Sequence, residues 1–193
     1  GEGGSLSTNK KEYYENSKLL KSHGVIRSKK LKKLYGNWYY QMSALGYNYR
    51  LPDINCSLGV SQLNKINRFL KERKSIAKIY QNEFENLKNF TTPEIKKNCE
   101  HAFHLYVLKI NFEKIKISKK NLFEKLLKKK ISLQVHYIPI HLQKYYKKNF
   151  NYKNGDFPVA ESFYKNAVSL PIYPGLSREK IFYVCREIKK LCK

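Results

Sequence analysis

The chain has 193 residues, 41% of them hydrophobic and 14% aromatic, which is enough to bury a core and excludes a disordered segment. No run of 18 apolar residues occurs and Gly1-Glu2-Gly3-Gly4 offers no apolar signal core, so neither a spanning helix nor a secretory leader is expected, and no membrane partner. The formal charge is +24, yet only Arg27, Arg50, Arg68, Arg73, Arg178 and Arg186 are Arg and Lys is spread over almost every segment, which predicts generic attraction to polyanions rather than a specific nucleic-acid site.

In chain order, 1–8 reads as a Gly-rich turn followed by a short alternating strand. Thr8 or Asn9 is suited to cap a helix running to about His23, with Gly24 as its left-handed terminator. Tyr13, Ser17 and Leu20 fall on one side of it. Val25–Ala44 has no clear period and reads as a long surface excursion rich in Lys, Tyr and Trp38. Asp53 is expected to cap a short helix carrying Ile54, Leu58 and Leu63, with Gly59 allowing another backbone to approach. The strongest periodicity predicts a helix over Ile66–Leu87, closed by Asn89–Pro93. Beyond it follow a strand over Phe103–Ile110, a helix from Ser118 to about Lys129 and a strand over Ile131–Tyr137. A short helix over Pro158–Val168, a strand over Ser169–Ile172 and a closing helix over Ser177–Leu191 complete the pattern. Leu122, Phe123, Leu126 and Leu127 are expected to face inward in one helix, and Ile181, Phe182, Val184, Cys185 and Ile188 in the other. From Ile66 onward this order predicts an α+β domain, a small sheet covered by helices, and 1–45 does not belong to it.

Cys56, Cys99, Cys185 and Cys192 form no Cys-x-x-Cys and fit no zinc spacing, so a reduced cytoplasmic setting is expected. His101 with His104, and His136 with His141, could be metal ligands by type, but no carboxylate completes either pair, and packing near a sheet edge is the preferred reading of the first. Val135-His136-Tyr137-Ile138-Pro139-Ile140-His141 ends a strand and turns at Pro139, where imidazole and phenol rings can stack on a base or sugar or can equally be a buried turn. Asn48 and Arg50 flank Tyr49 in an extended loop and should project to one side. An amide beside a guanidinium suits an anion, and an Arg50–Asp53 tie is the plainer alternative. No Ser-His-Asp set, paired acids or complete phosphate loop is present.

Gly46-Tyr47-Asn48-Tyr49-Arg50-Leu51, His104-Leu105-Tyr106-Val107 and Ser169-Leu170-Pro171-Ile172-Tyr173-Pro174 resemble motifs of the DegT-type sugar-nucleotide aminotransferases. The resemblance runs along essentially the whole chain. It extends to Gly1-Glu2-Gly3-Gly4-Ser5-Leu6-Ser7-Thr8, similar to the segment after that family's Schiff-base lysine, and to Leu20-Lys21-Ser22-His23-Gly24. Val135–Leu142 and Asp156–Glu161 resemble most the members acting in pseudaminic acid synthesis.

The resemblance implies an aspartate-aminotransferase-like fold of type I and pyridoxal 5'-phosphate as cofactor. It implies a UDP-linked 4-keto-6-deoxy sugar and glutamate as substrates and a cytoplasmic homodimer with shared sites. It implies that 1–45 is the tail of the large domain, 46–65 an interdomain loop and helix at the dimer interface, and 66–193 the small C-terminal domain. By position, Asn48 corresponds to the residue that reaches the phosphate of the neighbouring subunit's cofactor. Tyr49 and Arg50 would lie beside it, and His136, Tyr137, Ile138 and Pro139 would meet the nucleotide sugar. The Schiff-base lysine would lie a few residues before Gly1, so no catalytic lysine is assigned and the chain alone is expected to be inactive. The Lys- and Tyr-rich 28–41 stretch is longer than the family pattern. A non-catalytic binding or dimerisation module derived from the family is the alternative.

Overall fold

A first unit ends at Lys65 and a second comprises Ile66–Lys193. The computed structural model describes residues 3–193; of the predicted opening turn, Gly1 and Glu2 lie outside the described residues.

In the first unit the alternating segment before Thr8 forms no strand. Helix α1, Lys11–Leu20, starts behind a Thr8 hydroxyl that accepts from the Lys10 N–H at 3.1 Å, while Lys10 itself takes the extended cap conformation. It ends three residues before His23, because His23 (φ 61°) and Gly24 (φ 66°) are both left-handed and the Gly24 N–H returns to the Leu19 carbonyl at 3.0 Å.

The excursion expected to be irregular holds three short elements. Strand β1, Val25–Ile26, pairs antiparallel with β2, Gln41–Met42, and between them lies helix α2, Lys29–Tyr35. Two-residue strands carry no readable period, but Ser28, whose hydroxyl accepts from the Leu31 N–H at 3.1 Å, was a legible cap. Asp53 is the first residue of helix α3, Asp53–Leu63, rather than its cap, which is Pro52 in an extended conformation. Its carboxylate still suits the positive end of the helix.

None of α1, α2 and α3 contains a buried residue. Gly59 has nothing within 4 Å of where a Cβ would stand, so the close approach expected there is not made within this unit.

The second unit is an α+β domain. Helix α4, Ile66–Phe84, stops three residues before the predicted end and buries Ile76, Ala77, Tyr80 and Phe84. Strands β3 (Phe90–Thr91), β4 (Tyr106–Ile110) and β5 (Ala167–Leu170) form an antiparallel sheet in the order β3-β4-β5. Its register pairs Phe90 with Ile110 and Tyr106 with Leu170. Strand β4 starts three residues later than predicted because Phe103 sits at φ 50°, outside the strand region. It alternates as a one-sided strand should, with Tyr106, Leu108 and Ile110 buried.

Helices α5 (Lys119–Lys128) and α8 (Arg178–Leu191) are capped by Ser118 and Ser177, whose hydroxyls accept backbone N–H groups. Leu122 and Leu126, and Ile181, Val184, Cys185 and Ile188, face the core as expected. Leu127 is 65% exposed and Phe182 42% exposed, contrary to expectation, because each lies a third of a turn beyond its buried neighbour.

The strand expected over Ile131–Tyr137 shrinks to one bridge between Gln134 and Ser169, although Ile131 and Leu133 do alternate into the core. The 3-10 turn Ile140–Leu142 and helix α6, Lys144–Phe150, were not expected. Helix α7, Pro158–Asn166, opens with Pro in its first turn and ends two residues early, so β5 begins at Ala167 rather than Ser169. Burial pushes the Cys185 and Cys192 thiols up to about 12, so both behave as small apolar residues.

Candidate functional site

The predicted site residues fall in both units, and each group is described within its own.

In the first unit, the loop before α3 is clamped by backbone. The Tyr47 N–H donates to Leu20 O at 2.7 Å, the His23 N–H to Tyr47 O at 2.8 Å and the Tyr49 N–H to Lys21 O at 2.9 Å, and Asn48 makes an isolated bridge with Ser22. Two glycines make this possible. A Cβ on Gly46 would lie 2.3 Å from the Gly24 nitrogen, and one on Gly24 would lie 1.7 Å from the Ala44 oxygen. Gly24 is the buried residue of this unit among the described residues.

The clamp holds the strand extended, so side chains alternate. Tyr47 and Tyr49 stack at 4.8 Å with planes 6° apart, which leaves Asn48 and Arg50 to the other side. Both are solvent-exposed, and the ion pairs among the described residues do not include Arg50 with Asp53. The result is a hydrogen-bonded extended backbone presenting an amide and a guanidinium toward one side, a donor set that fits a phosphate.

In the second unit, the His136–Pro139 turn hangs from strand β5. The His136 Nδ1 lies 2.8 Å from the hydroxyl of buried Ser169, and its ring meets Tyr137 edge-on at 4.8 Å. Tyr137 is 75% exposed, Ile138 is exposed, and Pro139 leads into the 3-10 turn.

Behind this turn is a polar clasp that sequence reasoning missed. His141 is buried, and its Nε2–H donates to a Glu161 carboxylate oxygen at 2.8 Å. Both Glu161 oxygens also accept from the Gly155 N–H, at 2.8 and 3.0 Å. The hydrogen bond from His141, then that from Gly155, holds the Glu161 carboxyl below its usual range. Helix α7 thereby fixes the segment 155–157 and, through His141, the turn that carries Tyr137. Glu161 is the carboxylate that the sequence reading could not find for the second histidine pair. It lies 20 residues from His141, and only the turn at Gly155 (φ 96°) brings it round.

His101 and His104 are both exposed; the His101 Nδ1 accepts from the Phe103 N–H at 2.8 Å and its ring packs on Phe103 at 4.5 Å, just before β4. Arg73, within α4, binds three carbonyls, those of Phe103, His104 and Ile172, at 3.0 to 3.2 Å. It ties the entrance of β4 to the exit of β5. A surface groove of ≈ 570 Å³, lined in part by Thr91, Lys109, Glu113, Val159 and Phe163, contains none of the predicted site residues.

Comparison with known proteins adds what the geometry lacks. Residues 1–189 match the model of the DegT/DnrJ/EryC1/StrS aminotransferase family. An uncharacterized protein of Methanocaldococcus jannaschii is 44% identical over 99% of the chain and 50% of its own length. A UDP-4-amino-4,6-dideoxy-N-acetyl-beta-L-altrosamine transaminase of Campylobacter jejuni is 35% identical over 98% of the chain and 50% of its own length. Among solved structures, the Helicobacter pylori aminotransferase involved in the biosynthesis of pseudoaminic acid superimposes with a TM-score of 0.82 at 29% identity, covering 96% of this chain and 47% of that one. The chain therefore spans about half the length of the curated relatives it matches.

Proposed function

The chain belongs to the DegT/DnrJ/EryC1/StrS aminotransferase family, and from that premise we propose that it is the C-terminal part of an enzyme that moves an amino group from glutamate to a UDP-linked 4-keto-6-deoxy sugar. The observation that carries this reading is the 35% identity, along 98% of the chain, to a transaminase whose name specifies an amino sugar of that kind. Pyridoxal 5'-phosphate is the family's cofactor. When bound, it supplies the electron sink through which an amino group passes between donor and acceptor.

The roles of this chain's residues follow from their chemistry. Asn48 donates its amide N–H to the cofactor phosphate in the neighbouring subunit of a homodimer, and Arg50 adds positive charge beside it. Tyr49, stacked on Tyr47, walls the same mouth. Tyr137 offers an exposed ring face to the nucleotide base, His136 is held by Ser169 to donate toward the sugar or diphosphate, and Ile138 with Pro139 sets the turn. No lysine of this chain is assigned to the amino-transfer step, so the isolated chain is inactive. A second reading, a binding or dimerisation module without chemistry, is favoured by α3, which exposes Ile54, Leu58, Val60 and Leu63.

The test uses the chain alone and the chain joined behind the large-domain half of a family relative that carries the Schiff-base lysine. Each is given pyridoxal phosphate, glutamate and a UDP-4-keto-6-deoxy sugar, and amino sugar is read by mass spectrometry. The chain alone should give no product and the joined chain should. Turnover by the chain alone overturns the inactivity, and a folded joined chain without turnover favours the binding module. In the joined chain, Asn48→Ala should weaken cofactor retention while leaving the melting temperature in place; unchanged retention removes Asn48 from the phosphate.

A further inference from the structure

Among the described residues the buried polar side chains are His141, Ser169 and Glu187, and the first two pin one turn. His136 Nδ1 lies 2.8 Å from the Ser169 hydroxyl, and His141 Nε2–H donates to Glu161 at 2.8 Å. The segment 136–141 is thus tied at both ends. Its two partners, Glu161 in α7 and Ser169 in β5, belong to one continuous helix–strand run, 158–170. At the second tie His141 is boxed by rings as well as by the carboxylate. Phe157 packs at 4.8 Å and Tyr152 meets it edge-on at 6.5 Å. The Gly155 N–H reaches both Glu161 oxygens and the Lys153 N–H donates to Asp156 at 2.7 Å, which closes 153–157 around the pair. His141 is 6% exposed, and its burial can only deepen when further protein packs on the unit.

We propose that His141 and Glu161 are positioning residues for the nucleotide sugar: their hydrogen bond sets where His136 and Tyr137 stand, and so governs affinity for the nucleotide and not for the amino donor. The assignment rests on the reading of 136–139 as the turn that meets the nucleotide sugar. Neither residue is suited to hold that ligand itself. A carboxylate accepts hydrogen bonds only and repels a diphosphate, and His141 is buried with its Nε2–H already given to Glu161. Their effect therefore passes through the turn. The buried pair is worth most where it is complete, because losing one partner leaves the other desolvated and unsatisfied. The cheapest relief is for the 3-10 turn Ile140–Leu142 to move outward, and that displaces Tyr137 three residues before it.

UDP binding is measured by calorimetry on the purified chain and on the chain joined behind a relative's large-domain half. His141→Phe keeps a packed ring and removes the donor. It should weaken UDP at least about tenfold, since a displaced positioning group costs on that order or more. It should also speed hydrogen exchange at Leu142 and Gln143, whose N–H groups donate to Pro139 and Ile140 at 2.9 and 3.0 Å. Glu161→Ala should do the same, and the double variant should cost no more than either change alone. His141→Gln brings an amide N–H to the place of Nε2 and should recover most of the affinity. With the joined chain, His141→Phe should raise KM for the UDP sugar and leave KM for glutamate within about twofold. A lower urea midpoint with UDP affinity unchanged would make the pair merely structural and overturn the proposal. So would equal losses for glutamate, or additive losses in the double variant. Tyr137→Ala separates this from the reading beneath it. If Tyr137→Ala weakens UDP and His141→Phe does not, the positioning role alone falls. If neither protein binds UDP, or Tyr137→Ala changes nothing, the nucleotide reading of the turn falls and the positioning role with it.

Discussion

The two units use their apolar side chains in opposite ways. In Ile66–Lys193 they converge, with Tyr80, Phe84, Tyr106, Leu108, Ile110, Leu122, Leu126, Val168 and Ile188 all at 1% exposure or less. In the first unit they stay outside, and α3 carries Ile54, Leu58, Val60 and Leu63 without a buried residue. The second unit is therefore held by its own packing. The first is held by backbone hydrogen bonds and by two glycines that let Leu20–Gly24, Ala44 and Gly46–Tyr49 lie against one another. The contrast separates a unit with a buried core from one that, among the described residues, is mostly surface.

The largest test of that division is Phe84→Ala. Phe84 is fully buried and packs on Phe90, so its loss should cost about 3–5 kcal/mol, read as a fall in the urea midpoint of the second unit. A cost under about 1 kcal/mol would mean that the core is not close-packed.

The core was legible in advance because it follows two simple periods. The buried residues of α4, α5 and α8 recur every three or four positions, and those of β4 every two, and Ser118 and Ser177 announced their helices. The errors came where a period was weak or where distant residues decided the outcome. Leu127 and Phe182 are apolar by type but lie just past the buried stripe. The run 131–137 alternates like a strand, yet finds just one pairing position on Ser169. The site was harder to read. Asn48, Tyr49 and Arg50 could be placed in an extended loop from sequence, and Tyr47–Tyr49 stacking agrees with that alternation. Glu161 and Arg73 could not be found, since their partners lie 20 and 30 or more residues away and no local pattern marks the contact.

Next in size is Gly24→Ala. Its left-handed φ and the 1.7 Å approach to Ala44 exclude a Cβ, so the substitution should weaken local closure by about 1–3 kcal/mol. Hydrogen exchange should speed up at His23, Ser43 and Tyr47, while the urea midpoint of the second unit stays fixed. A shifted midpoint would mean that the two units are coupled more tightly than their separate packing implies.

A smaller effect is expected with pH. Among the described residues, the carboxyls held below their usual range, those of Glu100, Glu113, Glu161 and Glu187, all belong to the second unit. For Glu187 the first cause is the hydrogen bond from Lys129, and for Glu161 that from His141. A carboxyl depressed in the folded state contributes stability that is present above its unfolded value, about 4.3 for Glu. That contribution is lost as pH falls through the folded value. Melting temperature should therefore drop on acidification below that point, and Glu187→Gln should flatten the drop while lowering the plateau above it. An unchanged acid limb in that variant would place the acid sensitivity elsewhere.

The smallest expected effect is the sharpest statement about the first unit. Leu58→Ala removes a large apolar side chain from the middle of α3, a change that in the second unit would open a cavity. Leu58 is 50% exposed, and its helix neighbours Ile54 and Val60 are 83% and 61% exposed. α3 buries no residue, and Ala is the better helix former, so the stability of the isolated chain should change by less than about 0.5 kcal/mol. The same substitution becomes informative when a second surface is present. If α3 is covered in a larger assembly, Leu58→Ala should leave melting of the isolated chain unchanged and weaken association measured by analytical ultracentrifugation. A loss of stability in the isolated chain at dilute concentration would show that α3 is already packed there, and the contrast between a self-sufficient scaffold and an open surface would fail at its clearest point.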